Sequence, residues 1–174
     1  LHHVGSSGPG AILTEANRQF PLTEDGNYFT IVFARLDLCS HRLFYSSAGH
    51  NGLLIHRRSG EVCRLTQPNL PLGFDGAYVY GTTDVPLMPG DRIYVLSDGL
   101  YEVPSPTGEL WGQARLETTL CEGAHLPLAD VLARTIEEAK RWLGHDQFPD
   151  DVALMGLDLA DETPMNVSRT DVQR

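Results

Sequence analysis

Residues 28–38 read YFTIVFARLDL, and the apolar character of both their faces decides the fold class. Phe29, Ile31 and Phe33 fall on one face of an extended chain, and Tyr28, Val32 and Ala34 fall on the other. Side chains alternate along a strand, so this one is expected to be buried on both sides, in a layered structure and not at a wet surface. Shorter strands are predicted over 42–48, 53–56 and 61–65. They are punctuated by Gly49-His50-Asn51-Gly52 and Arg58-Ser59-Gly60, which read as meander turns. Further strands are expected over 78–87, over 92–97 (RIYVLS) after the Pro89-Gly90-Asp91 turn, and over 152–159 (VALMGLDL).

Helical periodicity lies at the two ends of this series. Over 9–20, Ile12, Leu13, Ala16 and Phe20 share a helical face behind Pro9, a suitable first-turn residue, and Asp25-Gly26-Asn27 is turn chemistry. A helix is expected over 110–120. A longer one over 127–143 aligns Leu128, Val131, Leu132, Ile136, Ala139 and Leu143, with Gly144 as its stop. One helix, a run of turn-linked strands and two late helices predict an α+β fold with a largely antiparallel sheet. The domain is expected over 1–159, with a frayed tail over 160–174.

Composition narrows the function. The 174 residues carry 13 Lys+Arg against 23 Asp+Glu, so 13 − 23 gives a formal net charge of −10. Without a Lys/Arg cluster, that charge argues against nucleic acid or an anionic membrane as the main partner. No apolar run approaches the roughly 20 residues of a membrane span, and LHHVGSSGPG lacks the apolar segment of a signal peptide. Cys39, Cys63 and Cys121 are odd in number and lack CxxC spacing, as expected of reduced thiols in a cytoplasmic protein. Cys39, His41 and His50 fail zinc spacing, no G-x-S-x-G elbow exists, and no glycine pattern suits a phosphate cradle.

Two acidic positions stand out by placement. Asp98 ends an apolar strand and precedes Gly99, whose missing side chain permits close approach of backbone, water or metal. Asp150 and Asp151 immediately precede the last apolar strand. Carboxylates at the ends of adjacent strands can converge on one hard cation, since Mg²⁺ and Mn²⁺ prefer oxygen ligands. The same positions also suit plain turn acids.

Five ordered blocks resemble the SpoIIE/RsbU-like branch of PPM-type metal-dependent serine/threonine phosphatases. They are FYSSAGHN (44–51), LPLG (70–73), LMPGDR (87–92), LSDGLYE (96–102) and PDDVAL (149–154), with PTGELWG (106–112) between the last two. The resemblance implies an α/β/β/α sandwich of two antiparallel sheets flanked by helices. It also implies hydrolysis of a phosphoserine or phosphothreonine by in-line attack of water, with two Mg²⁺ or Mn²⁺ ions at one rim. Carried over, Asp98 and Asp150 match metal-ligating aspartates, with Gly99 and Asp151 in supporting roles. A strand-end turn over 46–51 is expected to be structural. The family's acidic D-x-x-G-H-G turn, whose aspartate bridges the metals, has no counterpart here. Gly5-Ser6-Ser7-Gly8-Pro9 supplies no acid, so the chain resembles the C-terminal two-thirds of such a domain. The implied substrate is a phosphorylated anti-sigma-factor antagonist in a bacterial cytoplasm, under an upstream sensor or receiver domain. The lack of the bridging acid motivates an alternative, a catalytically impaired module that binds or regulates.

Overall fold

The computed structural model describes residues 8–21 and 28–160. The Asp25-Gly26-Asn27 turn, the His2-His3 pair and all but the first residue of the 160–174 tail lie outside the described residues. Helix α1 (Pro9–Gln19) is followed by β1 (Ile31–Asp37), β2 (Arg42–Ala48), β3 (Leu53–His56), β4 (Val62–Arg64), β5 (Thr83–Pro86) and β6 (Arg92–Leu96). A single 3-10 turn, Asp98–Leu100, leads to α2 (Gly112–Glu122), α3 (Leu128–Leu143) and β7 (Leu154–Asp158). All strand pairs are antiparallel. They form a three-stranded sheet in the order β1-β2-β5 and a four-stranded sheet in the order β4-β3-β6-β7.

Three apolar clusters bind the layers as α/β/β/α. Leu43 and Tyr45 of β2 meet Leu53 and Ile55 of β3 and Ile93 of β6 between the sheets. Leu54, Tyr94 and Leu96 turn the other way, onto Leu116, Leu120, Val131 and Ala139 of α2 and α3. Leu13 of α1 packs with Ala48, Leu72 and Tyr80 on the outer face of the smaller sheet. The long helix ends as expected: Gly144 adopts a left-handed conformation and donates its N–H to Lys140 O.

β1 departs from the expectation that residues 28–34 are buried on both faces. Both faces do meet protein, with Ile31 and Phe33 toward α1 and Val32 and Leu36 toward the other sheet. The strand is only half-buried, however, because it is an edge strand paired to β2 alone. Tyr28, Phe29 and Ala34 are exposed. The buried face of α1 also differs, for Phe20 is exposed, while Thr14 and Asn17 point inward. Thr14 Oγ1 accepts from Tyr80 N (2.9 Å), and Asn17 donates to Asp75 O (2.7 Å) and accepts from Gly73 N (2.9 Å). These polar groups serve as the hydrogen-bond partners of a loop that has no strand beside it.

The Pro89-Gly90-Asp91 turn is fixed by a buried carboxylate. Asp91 accepts from Arg57 Nη1 (2.7 Å), Met88 N (3.0 Å) and Arg58 N (3.1 Å). Burial pushes its carboxyl up, but these hydrogen bonds and the Arg57 charge outweigh burial and hold it below the usual carboxylate range. A carboxylate with a depressed folded pKa stabilises above its unfolded pKa, near 4, and loses that contribution as pH falls through the folded value. Asp91→Ala is expected to cost about 3 kcal/mol at neutral pH in denaturant titrations, because it strands the Arg57 guanidinium. Asp91→Asn should flatten the decline in wild-type stability below about pH 4.

Candidate metal centre at the end of β6

The exit of β6 is anchored from below and stitched from the side. Leu100 and Val103 are fully buried beneath α2 and α3, which fixes the turn that begins at Asp98. Asp98 O accepts the N–H groups of Tyr101 and Glu102, each at 3.0 Å. Beside it runs the segment entering β7. Ser97 N donates to Ala153 O (3.0 Å), Ser97 Oγ donates to Asp151 O (3.0 Å), and Ala153 N donates back to Ser97 Oγ (2.9 Å). Gly99 lies so close to this segment that an added Cβ would sit 2.5 Å from Asp151 O and 3.5 Å from Asp150 Cβ.

The fold therefore brings Asp98, Gly99, Asp150 and Asp151 together at one rim of the four-stranded sheet. Asp98, Asp150 and Asp151 are all exposed. Asp98 Oδ1 accepts from Gly99 N (3.1 Å) and Asp150 Oδ1 from Asp151 N (2.7 Å), each its own neighbour's amide. Among the described residues, neither carboxylate enters an ion pair. The guanidinium of Arg64, 6.0 Å from the Tyr101 ring, is held instead by Glu117 (2.7 Å) and Asn51 O (3.1 Å). Burial, with a further contribution from the Asp98 and Glu102 charges, pushes the Tyr101 phenol up, so it stays protonated beside the acids. Asp151 contributes its carbonyl to Ser97 rather than a paired side chain.

Two exposed carboxylates without a cationic partner have the donor chemistry of a hard divalent cation. They supply oxygen donors of the kind such an ion takes, fewer than a full site needs. Among the described residues, no group of three or more His, Cys, Asp or Glu side chains could hold a metal, so Cys39, His41 and His50 do not converge either.

The glycine-rich turn after β2 is a clasp on this rim. Ser47 Oγ donates to His50 O (2.5 Å) and accepts from His50 N (3.1 Å), closing the turn that the sequence suggests. The His50 ring lies 3.1 Å through Nε2 from Leu96 O, the carbonyl just ahead of Ser97 and Asp98. Nε2 therefore carries the proton and donates it to the carbonyl. His50→Ala is expected to lower stability by about 1 kcal/mol, with any loss of rim function following from that. Abolished turnover with an unchanged melting temperature would instead make His50 a catalytic residue.

Sequence reasoning weighs Ser97 only as a nucleophile and sets it aside for want of a G-x-S-x-G elbow. Its hydrogen bonds to the segment entering β7 have no signal in the sequence.

Comparison with known proteins places the chain. Residues 2–160 match the sequence profile described as Stage II sporulation protein E (SpoIIE). The chain belongs to the SpoIIE family. It is 28% identical over 154 residues to phosphoserine phosphatase RsbU of Bacillus subtilis (strain 168), covering 86% of this chain and 44% of RsbU. Its fold is similar to the SiaA-PP2C domain of Pseudomonas aeruginosa, with a TM-score of 0.76, 23% identity, and coverage of 89% of this chain and 62% of that one. The Mn-presoaked phosphatase domain of the cell fate determinant SpoIIE from Bacillus subtilis gives a TM-score of 0.65 at 19% identity, covering 92% of this chain and 70% of that one. The two sheets with their outer helices are thus the PP2C arrangement. The SpoIIE-family chain spans less than half of RsbU and under two thirds of the SiaA-PP2C chain.

Proposed function

We propose that this chain forms the metal-binding rim of a protein phosphatase that hydrolyses phosphoserine or phosphothreonine on a regulatory protein. The observation that carries the reading is the clasp between the Asp98 turn and the Asp150–Asp151 segment, which gathers two unpaired carboxylates at the end of β6. Family membership and the likeness to a phosphoserine phosphatase support it. Bound Mg²⁺ or Mn²⁺ would supply Lewis acidity toward phosphoryl oxygens and an acidified water. The chain's own part is to present Asp98 and Asp150 as oxygen ligands. Gly99 gives the two segments their close approach, and Ser97 and His50 hold the backbone that carries Asp98. The substrate of this reading is a phosphorylated anti-sigma-factor antagonist in the cytoplasm of a bacterium, with a sensor or receiver domain upstream. No helix among the described residues is long and apolar enough to cross a membrane.

A second reading is a phosphatase-like module that binds partners without turnover. It is favoured by the absence of a third clustered metal-binding side chain among the described residues. Mn²⁺-dependent hydrolysis of an aryl phosphate and of a phosphoserine peptide, by this chain and by a longer polypeptide that adds an acidic D-x-x-G-H-G segment, separates the two. Turnover by the longer polypeptide that chelation removes is the expected result. A longer polypeptide that binds the phosphopeptide and never hydrolyses it would leave the binding module.

A further inference from the structure

The structure assigns to Ser97 the role of positioning residue for the Asp98–Asp150 pair, an inference that rests on the metal-rim reading above. Ser97 occupies the position before the 3-10 turn, with extended backbone at φ −84° and ψ 159°. A serine there ordinarily turns its hydroxyl onto the N–H groups of the turn it precedes. Ser97 makes no such cap, and the Gly99 amide is taken by Asp98 Oδ1 instead. Its hydroxyl is spent sideways, donating to Asp151 O and accepting from Ala153 N, while its own N–H reaches Ala153 O.

The consequence is geometric. One residue, the one that immediately precedes Asp98, binds the carbonyl of Asp151 and both backbone groups of Ala153. The regular β6–β7 pairing stops at Leu96 opposite Leu154, so the ladder itself does not reach either aspartate. Beyond that point the Ser97 hydroxyl continues the connection by one more step, toward Asp150. The opposite side of Asp98 is set by contact rather than by bonding, because Gly99 leaves room for the Asp151 carbonyl. Removing the hydroxyl leaves Asp151 O and Ala153 N without their side-chain partner, and the segment that carries Asp150 is then tied to the Asp98 turn by the Ser97 N–H and the Gly99 contact alone. Groups that orient ligands in this way commonly set metal affinity by 10–100-fold.

The test is Mn²⁺ binding to the 174-residue chain, followed by the loss of the free-ion electron paramagnetic resonance signal, with circular dichroism melts of the same samples without metal. The variants are S97A, S97T, S97V and D98N. Threonine keeps the hydroxyl and suits the extended backbone, and valine has threonine's shape without it. S97T is expected to stay within about threefold of the wild-type affinity, while S97A and S97V lose about tenfold or more at temperatures where all are folded. The S97T–S97V comparison isolates the hydroxyl even if S97A melts early. Mn²⁺ affinity unchanged in S97V, or lost equally in S97T, would overturn the role of Ser97 and leave the metal rim standing. Affinity unchanged in D98N would overturn the rim itself, and the role of Ser97 with it.

Discussion

Gly52→Ala is expected to unfold the domain or to lower its stability by more than about 4 kcal/mol, an effect far outside the ordinary range for a glycine-to-alanine change. An added Cβ would stand 1.8 Å from Leu96 O, 2.9 Å from Leu96 C and 2.6 Å from His50 Nε2. Backbone cannot yield as a flexible side chain would. Leu96 N donates to Gly52 O at 2.8 Å, and the Leu96 side chain is buried beneath the helices, so the overlap falls between two paired strands at the middle of the larger sheet. Relief requires separating β3 from β6 where β6 delivers Asp98, and it also breaks the His50 contact to Leu96 O. A domain has only about 5–15 kcal/mol in total to lose. Thermal and denaturant unfolding followed by circular dichroism measures the effect. Gly81→Ala is the control, since an added Cβ there meets nothing within 4 Å. A Gly52→Ala protein that melts within a few degrees of wild type would show that β3 and β6 are not held as described.

Where glycine and apolar alternation dominate, the sequence is nearly a drawing of the structure. β2 and β3 run over 42–48 and 53–56 as expected, because Gly49 and Gly52 punctuate strands whose large buried residues, Leu43, Tyr45, Leu53, Leu54 and Ile55, are apolar. The expected strand over 78–87 shrinks to Thr83–Pro86, since Tyr80 is held by Thr14 Oγ1 and by carbonyls at 70 and 71 instead of by a neighbouring strand. Apolar patterning is blind to such contacts. It misses Asn17 for the same reason: a fully buried amide that satisfies a loop looks, in sequence, like an exposed helix residue. At the rim, Asp98 and Asp150 are legible as acids at strand ends. The hydrogen bonds that align them come from Ser97 and from backbone carbonyls, and backbone groups have no letter in the sequence.

Asp98→Asn should weaken Mn²⁺ binding by this chain and, in a longer polypeptide that adds an acidic D-x-x-G-H-G segment, remove phosphatase turnover by more than the roughly 100-fold that outer-shell changes reach. The substitution keeps the side chain's shape, and its oxygen can still accept from Gly99 N, so the turn survives. What it removes is charge from one of the two carboxylates at the rim. Mg²⁺ and Mn²⁺ are held by oxygen ligands and keep several waters, so each protein carboxylate carries a large share of the affinity. By the same count, two carboxylates make a weak site. A two-metal arrangement needs ligands that place ions about 3.5–4 Å apart, and among the described residues no group of three or more His, Cys, Asp or Glu side chains could hold a metal. The 174-residue chain alone is accordingly expected to bind Mn²⁺ weakly and to turn over little aryl phosphate, with activity appearing when the acidic segment is supplied and disappearing again with Asp98→Asn. Melting temperatures should stay close to wild type throughout, which separates loss of a ligand from loss of the fold. Robust Mn²⁺-dependent hydrolysis by the 174-residue chain would overturn this expectation, because two carboxylates would then suffice, and the reading of the domain as a silent binding module would fall with it.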